Sequence, residues 1–345
     1  MYSNLSARSI QFFWPPVASI PVITLTPWKI FCGFCVVFLN ETPFILAFHQ
    51  VFSYYFHNEN GEDSLCEDDS IVKELTYLLS WLVLLLYAVS FWNYLRYFKE
   101  KSEALALQIR RWLLVAVSTH TIYLAMLTFL TGHLPVGNTF MVLASSAWFF
   151  VVVYLVLEVR LHEMTMGVFF LPVILLLQFI SNSFIDVDKP LNPILSGMMF
   201  EVHVALMISA YAAFTISFIT SVMYILLSRE MQSKRLGIFF ERLPSLQFFD
   251  NLSNHAVNIG LVIVTIGIGM GFYMAADVWE GKWALDPKLL AVVVSWGIYL
   301  VHFLTRKSIG WQGKRAAIVS VVGFNWLLFS FIIVTTFFSK IHNFQ

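Results

Sequence analysis

Five side chains, far apart in the chain, carry groups that could serve one piece of chemistry. His203 opens the apolar segment FEVHVALMISAYAAF, and His342 closes the sequence FFSKIHNF. Trp279, Trp283 and Asp286 sit in VWEGKWALDPKLL, a short polar insertion between two long apolar runs. Two neutral imidazoles can take both axial positions of a haem iron, and indole faces can stack on a porphyrin edge. The plainer use of the same residues is anchoring, because Trp and Tyr gather at any membrane–water interface. The separation of His203 from His342 in sequence gives no geometric help, so both uses stay open on spacing alone.

Two further histidines lie within apolar segments. His120, in VSTHTIYLAML, and His302, in GIYLVHFL, could form an inner metal or haem site, or could hydrogen-bond to neighbouring helices as packing glue. His133 precedes Pro135 in a turn, and His49, His57, His162 and His255 have loop-like or interfacial settings that suggest no role. Cys32-Gly-Phe-Cys35 sits in a Phe-rich stretch without the strand–helix context of a redox dithiol, which reads as small apolar packing. No Walker loop, dinucleotide fingerprint, HExxH or GxSxG is present.

These residues must be positioned by membrane helices. Of 345 residues, 59% are hydrophobic and 12% charged, and the mean hydropathy is +0.75. A soluble domain carries about 25% charged residues. Zero net charge gives no reason to expect a nucleic-acid partner. Apolar runs long enough to span lipid fall at roughly 74–95, 112–131, 139–159, 165–182, 203–227, 257–276, 289–305 and 316–338. In lipid each must satisfy its own backbone groups as a helix. The expected fold class is therefore an all-α polytopic membrane protein with about eight transmembrane helices. An extra apolar stretch, 28–56, is broken by Asn40, Glu41, Pro43 and His49, and either spans or lies at the interface. Residues 1–73 thus form a separate N-terminal segment ahead of a transmembrane domain at 74–345.

Charge orients the bundle. Fourteen Lys and Arg residues fall in alternate connections, at 96–111, 160, 228–256 and 305–315. The opposite connections hold Lys189, Lys282 and Lys288, with Lys340 in the tail. The positive-inside rule then places 132–138, 183–202 and 277–288 outside, together with the acidic patch Glu62, Asp63, Glu67, Asp68 and Asp69. His203, His342 and the tryptophan insertion share that outer level.

Several segments together resemble the CcsA/ResC family of system II cytochrome c biogenesis, which shares a tryptophan-rich haem-handling domain with CcmC and CcmF. They are GHLPVGNTFMVLASSAW (132–148), HVALMISAYAAF (203–214), LPSLQFFDNLSNHAVNIG (243–260) and GWQGKRAAIVSVVGF (310–324) with the terminal IHNF. The insertion at 278–290 resembles the family's W-G-x-x-W-x-W-D loop. Trp279, Trp283 and Asp286 match it, while Glu280 replaces the glycine and Leu285 the third tryptophan. The inner histidine that the family carries before Thr-Arg is Leu304 here, with His302 two residues earlier. Two residues turn about 200° around a helix. Met141 stands where the family tends to have an acidic residue.

The resemblance implies a membrane subunit that binds haem b and delivers it to apocytochrome c for thioether attachment. His203 and His342 would be the axial ligands, Trp279, Trp283 and Asp286 the shelf under the macrocycle, and His120 and His302 the residues of an inner site. It implies a CcsB/ResB-like membrane partner, a thioredoxin-like reductant acting indirectly, and residence in the inner (cytoplasmic) membrane. The substitutions in the loop favour a competing reading, a HemX-like regulator of haem metabolism with the same fold and no haem transfer. An unrelated permease would show inverted repeats and broken helices with a midplane polar site, and neither is seen in the sequence.

Overall fold

A computed structural model describes residues 65–187, 197–234, 237–278 and 287–330. All of them belong to one compact unit, Asp63–Gln345. The described residues form helices α1 (Leu65–Glu100), α2 (Glu103–Thr131), α3 (Thr139–Leu161), α4 (Gly167–Phe184) and α5 (Met198–Gln232). A short α6 (Ile238–Arg242) precedes α7 (Leu246–Val278), α8 (Pro287–Leu304) and α9 (Lys314–Phe329). Seven of them, α1 to α5, α7 and α8, are long and apolar enough to cross a membrane. The chain is an all-α, multi-pass membrane protein. The eighth expected span, 316–338, starts as α9, and its remainder lies outside the described residues, as does the stretch 28–56.

The connections are shorter than hydropathy implies. The basic stretch 96–111 is helical except at Lys101 and Ser102, and the described part of 228–256 is helical except in short segments around α6. Hydropathy marks only the part of a helix that sits in lipid, whereas the i→i−4 ladder continues until a local conformation ends it. Lys101 does so at φ 51°, with its N–H returned to Tyr97 O at 2.8 Å. Gly132 ends α2 in the same way at φ 70°, its N–H reaching Thr128 O. Asn138 then starts α3 by accepting the Met141 N–H on its side chain at 2.8 Å, supplying one of the donors left over at a helix start.

The helices pack as two groups. In the first, α1 lies against α2 and α4, and α3 packs on α4 and α2; in the second, α5 lies against α7 and α9, and α8 fills the space between α7 and α9. Helix α3 meets α5 between the groups. At one end of the bundle Leu134 N–H reaches Glu201 Oε1. At the basic end Arg242 donates to Lys99 O at 2.7 Å, and Phe239 of α6 packs on Phe98 and Phe169. Lipid tails are as apolar as leucine, so these contacts rest on close packing and interhelical hydrogen bonds. Phe214 and Tyr299 stack at 3.7 Å between ring centres and Phe218 and Phe324 at 4.4 Å. Between them, Ser253 bonds to Ser217 and Ser221, and Ser217 to Ser320, which ties α5, α7 and α9 together.

Candidate functional site

The α5–α7 contact is a row of side chains laid into glycine notches. A methyl group added at Gly260 would stand 2.7 Å from the Phe214 ring, one at Gly267 2.9 Å from Met207 Sδ, and one at Gly271 2.9 Å from His203 Cε1. Each step along α5 is matched by an equal step back along α7, the register of two antiparallel helices. Ser221 and Ser253, in hydrogen-bond contact, continue the same register toward the basic end. Glycines allow the two backbones to approach closely, and a side chain can then lie across the partner helix.

His203 uses its notch for a specific bond. Its ring lies across Gly271 and its Nδ1 meets Gly267 O at 2.9 Å. A carbonyl oxygen can only accept, so Nδ1 carries the proton and donates it. In the neutral ring Nε2 then holds the lone pair that a metal would take. A donor bond of this kind, from the second ring nitrogen to a carbonyl, is how ligating histidines are oriented. His203 lies on the second turn of α5, at the end of the bundle away from the basic rim. Of the residues expected to hold an iron atom, His203 is the one described, and its donor bond makes Nε2 the unprotonated nitrogen of the neutral ring. The other residues of the expected outer site, Trp279, Trp283, Asp286 and His342, lie outside the described residues. Among the described residues no three His, Cys, Asp or Glu side chains converge on a common metal position.

The two inner histidines occupy different groups of helices. His120 is fully buried on α2, where its Nδ1 meets Tyr87 OH at 2.9 Å and the tilted Tyr123 ring packs beside it at 5.8 Å between ring centres; its Nε2 has no hydrogen-bond partner among the described residues. His302 is 1% exposed on α8, and neither ring nitrogen has a hydrogen-bond partner. The main neighbours of α2 are α1 and α3, and those of α8 are α7 and α9. Leu304, where the resemblance would put an inner histidine, is 47% exposed. The two-residue displacement therefore turns the imidazole into the bundle and the leucine outward.

Two polar clusters escaped the reading of the sequence. Asp250 on α7 accepts both guanidinium arms of Arg306 at 2.9 and 2.6 Å and the Gly313 N–H at 2.9 Å. This clamp holds the turn after α8, where Thr305–Ile309 widens into a π-helical turn. Gly313 sits at φ 63°, and a methyl group there would be 2.5 Å from Tyr224 OH. In the first group, Glu158 is fully buried on α3 and accepts from Tyr94 OH and Tyr154 OH on the same oxygen. Its other oxygen is 3.6 Å from Arg110 Nε. A carboxylate inside an apolar run was a visible signal for the second cluster. The first had none, since Asp250 and Arg306 lie in parts of the sequence that read as connection and helix end.

The profile of the cytochrome C assembly protein family matches residues 82–342. A protein of Mesostigma viride named cytochrome c biogenesis protein CcsA is 29% identical over 216 residues, covering 56% of this chain and 71% of that one. The CcsA of Synechococcus sp. (strain CC9902) is 26% identical over 281 residues, 73% of this chain and 90% of its own length. That of Chlamydomonas reinhardtii is 27% identical over 223 residues, 62% of each. With most of its length matched and its helices in place, this chain belongs to the cytochrome c assembly protein family.

Proposed function

We propose that this chain acts in cytochrome c biogenesis by holding haem at the end of the bundle opposite the basic rim and offering it to apocytochrome c. The observation that carries the proposal is the His203 ring, laid over Gly271 with Nδ1–H on Gly267 O. That bond fixes the tautomer with Nε2 as the ligating atom, and the notch fixes the ring plane. His342 would supply the opposite axial nitrogen, and Trp279 and Trp283, with Asp286, the shelf beneath the macrocycle. These three follow from the likeness of the loop to the family's motif. Haem b is the cargo, and the cysteine thiols of the apocytochrome add across its vinyl groups, each S–H crossing one C=C bond. No oxidant is consumed and the chain needs no nucleophile of its own. Holding the vinyls and thiols together is what it contributes.

The excess of Lys and Arg at the other end supports an orientation with the His203 end outside the inner (cytoplasmic) membrane. A CcsB/ResB-like membrane protein would complete the synthase, and a thioredoxin-like reductant would keep the apocytochrome cysteines as thiols. His302 is the stronger inner candidate, since neither of its buried nitrogens is engaged. His120 gives one nitrogen to Tyr87.

Absorption spectra of the purified protein, reduced and oxidised, test the reading beside His203→Ala and His342→Ala. A low-spin bis-histidine spectrum that both substitutions abolish is expected. Haem-free wild type, folded and coexpressed with its partner, would favour the HemX-like regulator to which Glu280 and Leu285 in the loop already point.

A further inference from the structure

Helix α9 buries Ala316, Ala317, Ser320, Gly323, Phe324 and Leu327 against its neighbours in the second group. Its other side presents Ile318, Val322, Asn325 and Phe329, all exposed, at spacings of four, three and four residues. That is the spacing of a helix–helix seam. Asn325 lies eleven residues beyond Lys314 at the basic end. At 1.5 Å per residue this is about 16 Å along the axis, near the middle of a hydrocarbon layer roughly 30 Å thick.

An amide facing lipid at that depth is out of place. Threonine and serine at the surface of this bundle turn their hydroxyls back on their own helix, as Thr119 does to Val115 O and Ser183 to Phe179 O. Asparagine has two N–H groups and an oxygen to satisfy. Asn325 gives one N–H to Val321 O at 2.8 Å. Its second N–H and its oxygen find no partner among the described residues. In hydrocarbon no water can stand in.

We propose that this face is a self-association seam, in which α9 of one copy packs on α9 of a second and the two Asn325 amides bond reciprocally. Every copy crosses the membrane in the same sense, so a two-fold axis between copies must run along the membrane normal. Each residue then meets a partner residue of its own depth, and Asn325 meets Asn325. What remains on the amide, one donor and one acceptor, is self-complementary. A different protein would have to bring a matching polar group to the same level. Arg315 shares the face but lies ten residues from Asn325, about 15 Å toward the basic end. There its guanidinium reaches the headgroups, and pairing buries no like charges.

The test uses the full chain in lipid vesicles, labelled in two colours, with energy transfer followed as lipid dilutes the protein. Wild type should associate, Asn325→Leu about tenfold more weakly, and Asn325→Gln nearly as well as wild type. In a chain carrying Cys32→Ser, Cys35→Ser and Cys66→Ser, Val322→Cys should form a disulfide between copies. Val262→Cys, on the exposed side of α7, should not. Equal association of wild type and Asn325→Leu overturns the proposal, as does cross-linking through Val262 alone. A monomeric wild type overturns it too, including one that binds a different membrane protein through α9. A haem spectrum taken on the same samples keeps this seam distinct from the His203 site, which Asn325→Leu should leave unchanged.

Discussion

Replacing Gly271 with alanine separates the fold of the α5–α7 contact from its use. The added methyl carbon would stand 2.9 Å from His203 Cε1, 3.5 Å from Nδ1 and 3.7 Å from Nε2. Carbon atoms in contact settle at about 3.5 Å or more, so the ring must withdraw by about 0.6 Å. The bond from Nδ1 to Gly267 O starts at 2.9 Å. Such a retreat takes it to the limit of a hydrogen bond and removes about 1 kcal/mol. Against this, alanine improves an interior helix position over glycine by about 1 kcal/mol. The two effects nearly cancel, and the unfolding temperature should move by only a few degrees. Haem affinity should not be spared. A ligating histidine that loses its orienting bond weakens metal binding by about 10- to 100-fold. Gly269→Ala is the control, because a methyl group there meets nothing within 4 Å. Haem titration of the purified variants, with thermal unfolding of the haem-free protein alongside, reads both quantities. Wild-type affinity in Gly271→Ala would refute the reasoning, and so would an equal loss in Gly269→Ala.

Other substitutions probe the clamps that hold the two groups. Asp250→Asn leaves Arg306, 13% exposed, without its carboxylate, and should cost about 3 kcal/mol in thermal or denaturant unfolding. Exchanging the pair, Asp250→Arg with Arg306→Asp, should recover only part of this, because the Gly313 N–H also loses its acceptor. Gly313→Ala should cost at least about 1–2 kcal/mol. Adding Tyr224→Phe relieves the contact but not the backbone strain at φ 63°, so recovery must stay incomplete. In the first group, Glu158→Leu strands the Tyr94 hydroxyl, leaves Tyr154 OH only its long bond to Met164 O at 3.4 Å, and should cost about 2–3 kcal/mol, against about 1 kcal/mol for Glu158→Gln, whose oxygen still accepts. Equal losses for the two Glu158 variants would mean that the hydroxyls are satisfied elsewhere.

The membrane class, the positions of the spans and the gathering of basic residues at one end were all legible in the sequence. Each depends on the transfer of individual residues between water and lipid, and residue type alone carries that. The level of His203 in the bundle follows from the same count. Helix ends were not legible to within a few residues, because a left-handed Lys101 or His162 is decided by backbone conformation rather than polarity. The GIGMG run at 267–271 was visible, but its purpose was not. Only the antiparallel register of α5 and α7 brings Gly271 under His203 and so selects the tautomer of its ring. Likewise His120 and His302 read alike as buried imidazoles. The structure gives one to Tyr87 and leaves the other with no hydrogen-bond partner on a separate group of helices. Asp250 and Arg306 could not be paired in advance, standing 56 positions apart in the chain. Hydropathy records which solvent a residue prefers and contains nothing about which neighbour it meets. That choice depends on how ridges and notches of two helices interlock, and it exists only once the helices are packed.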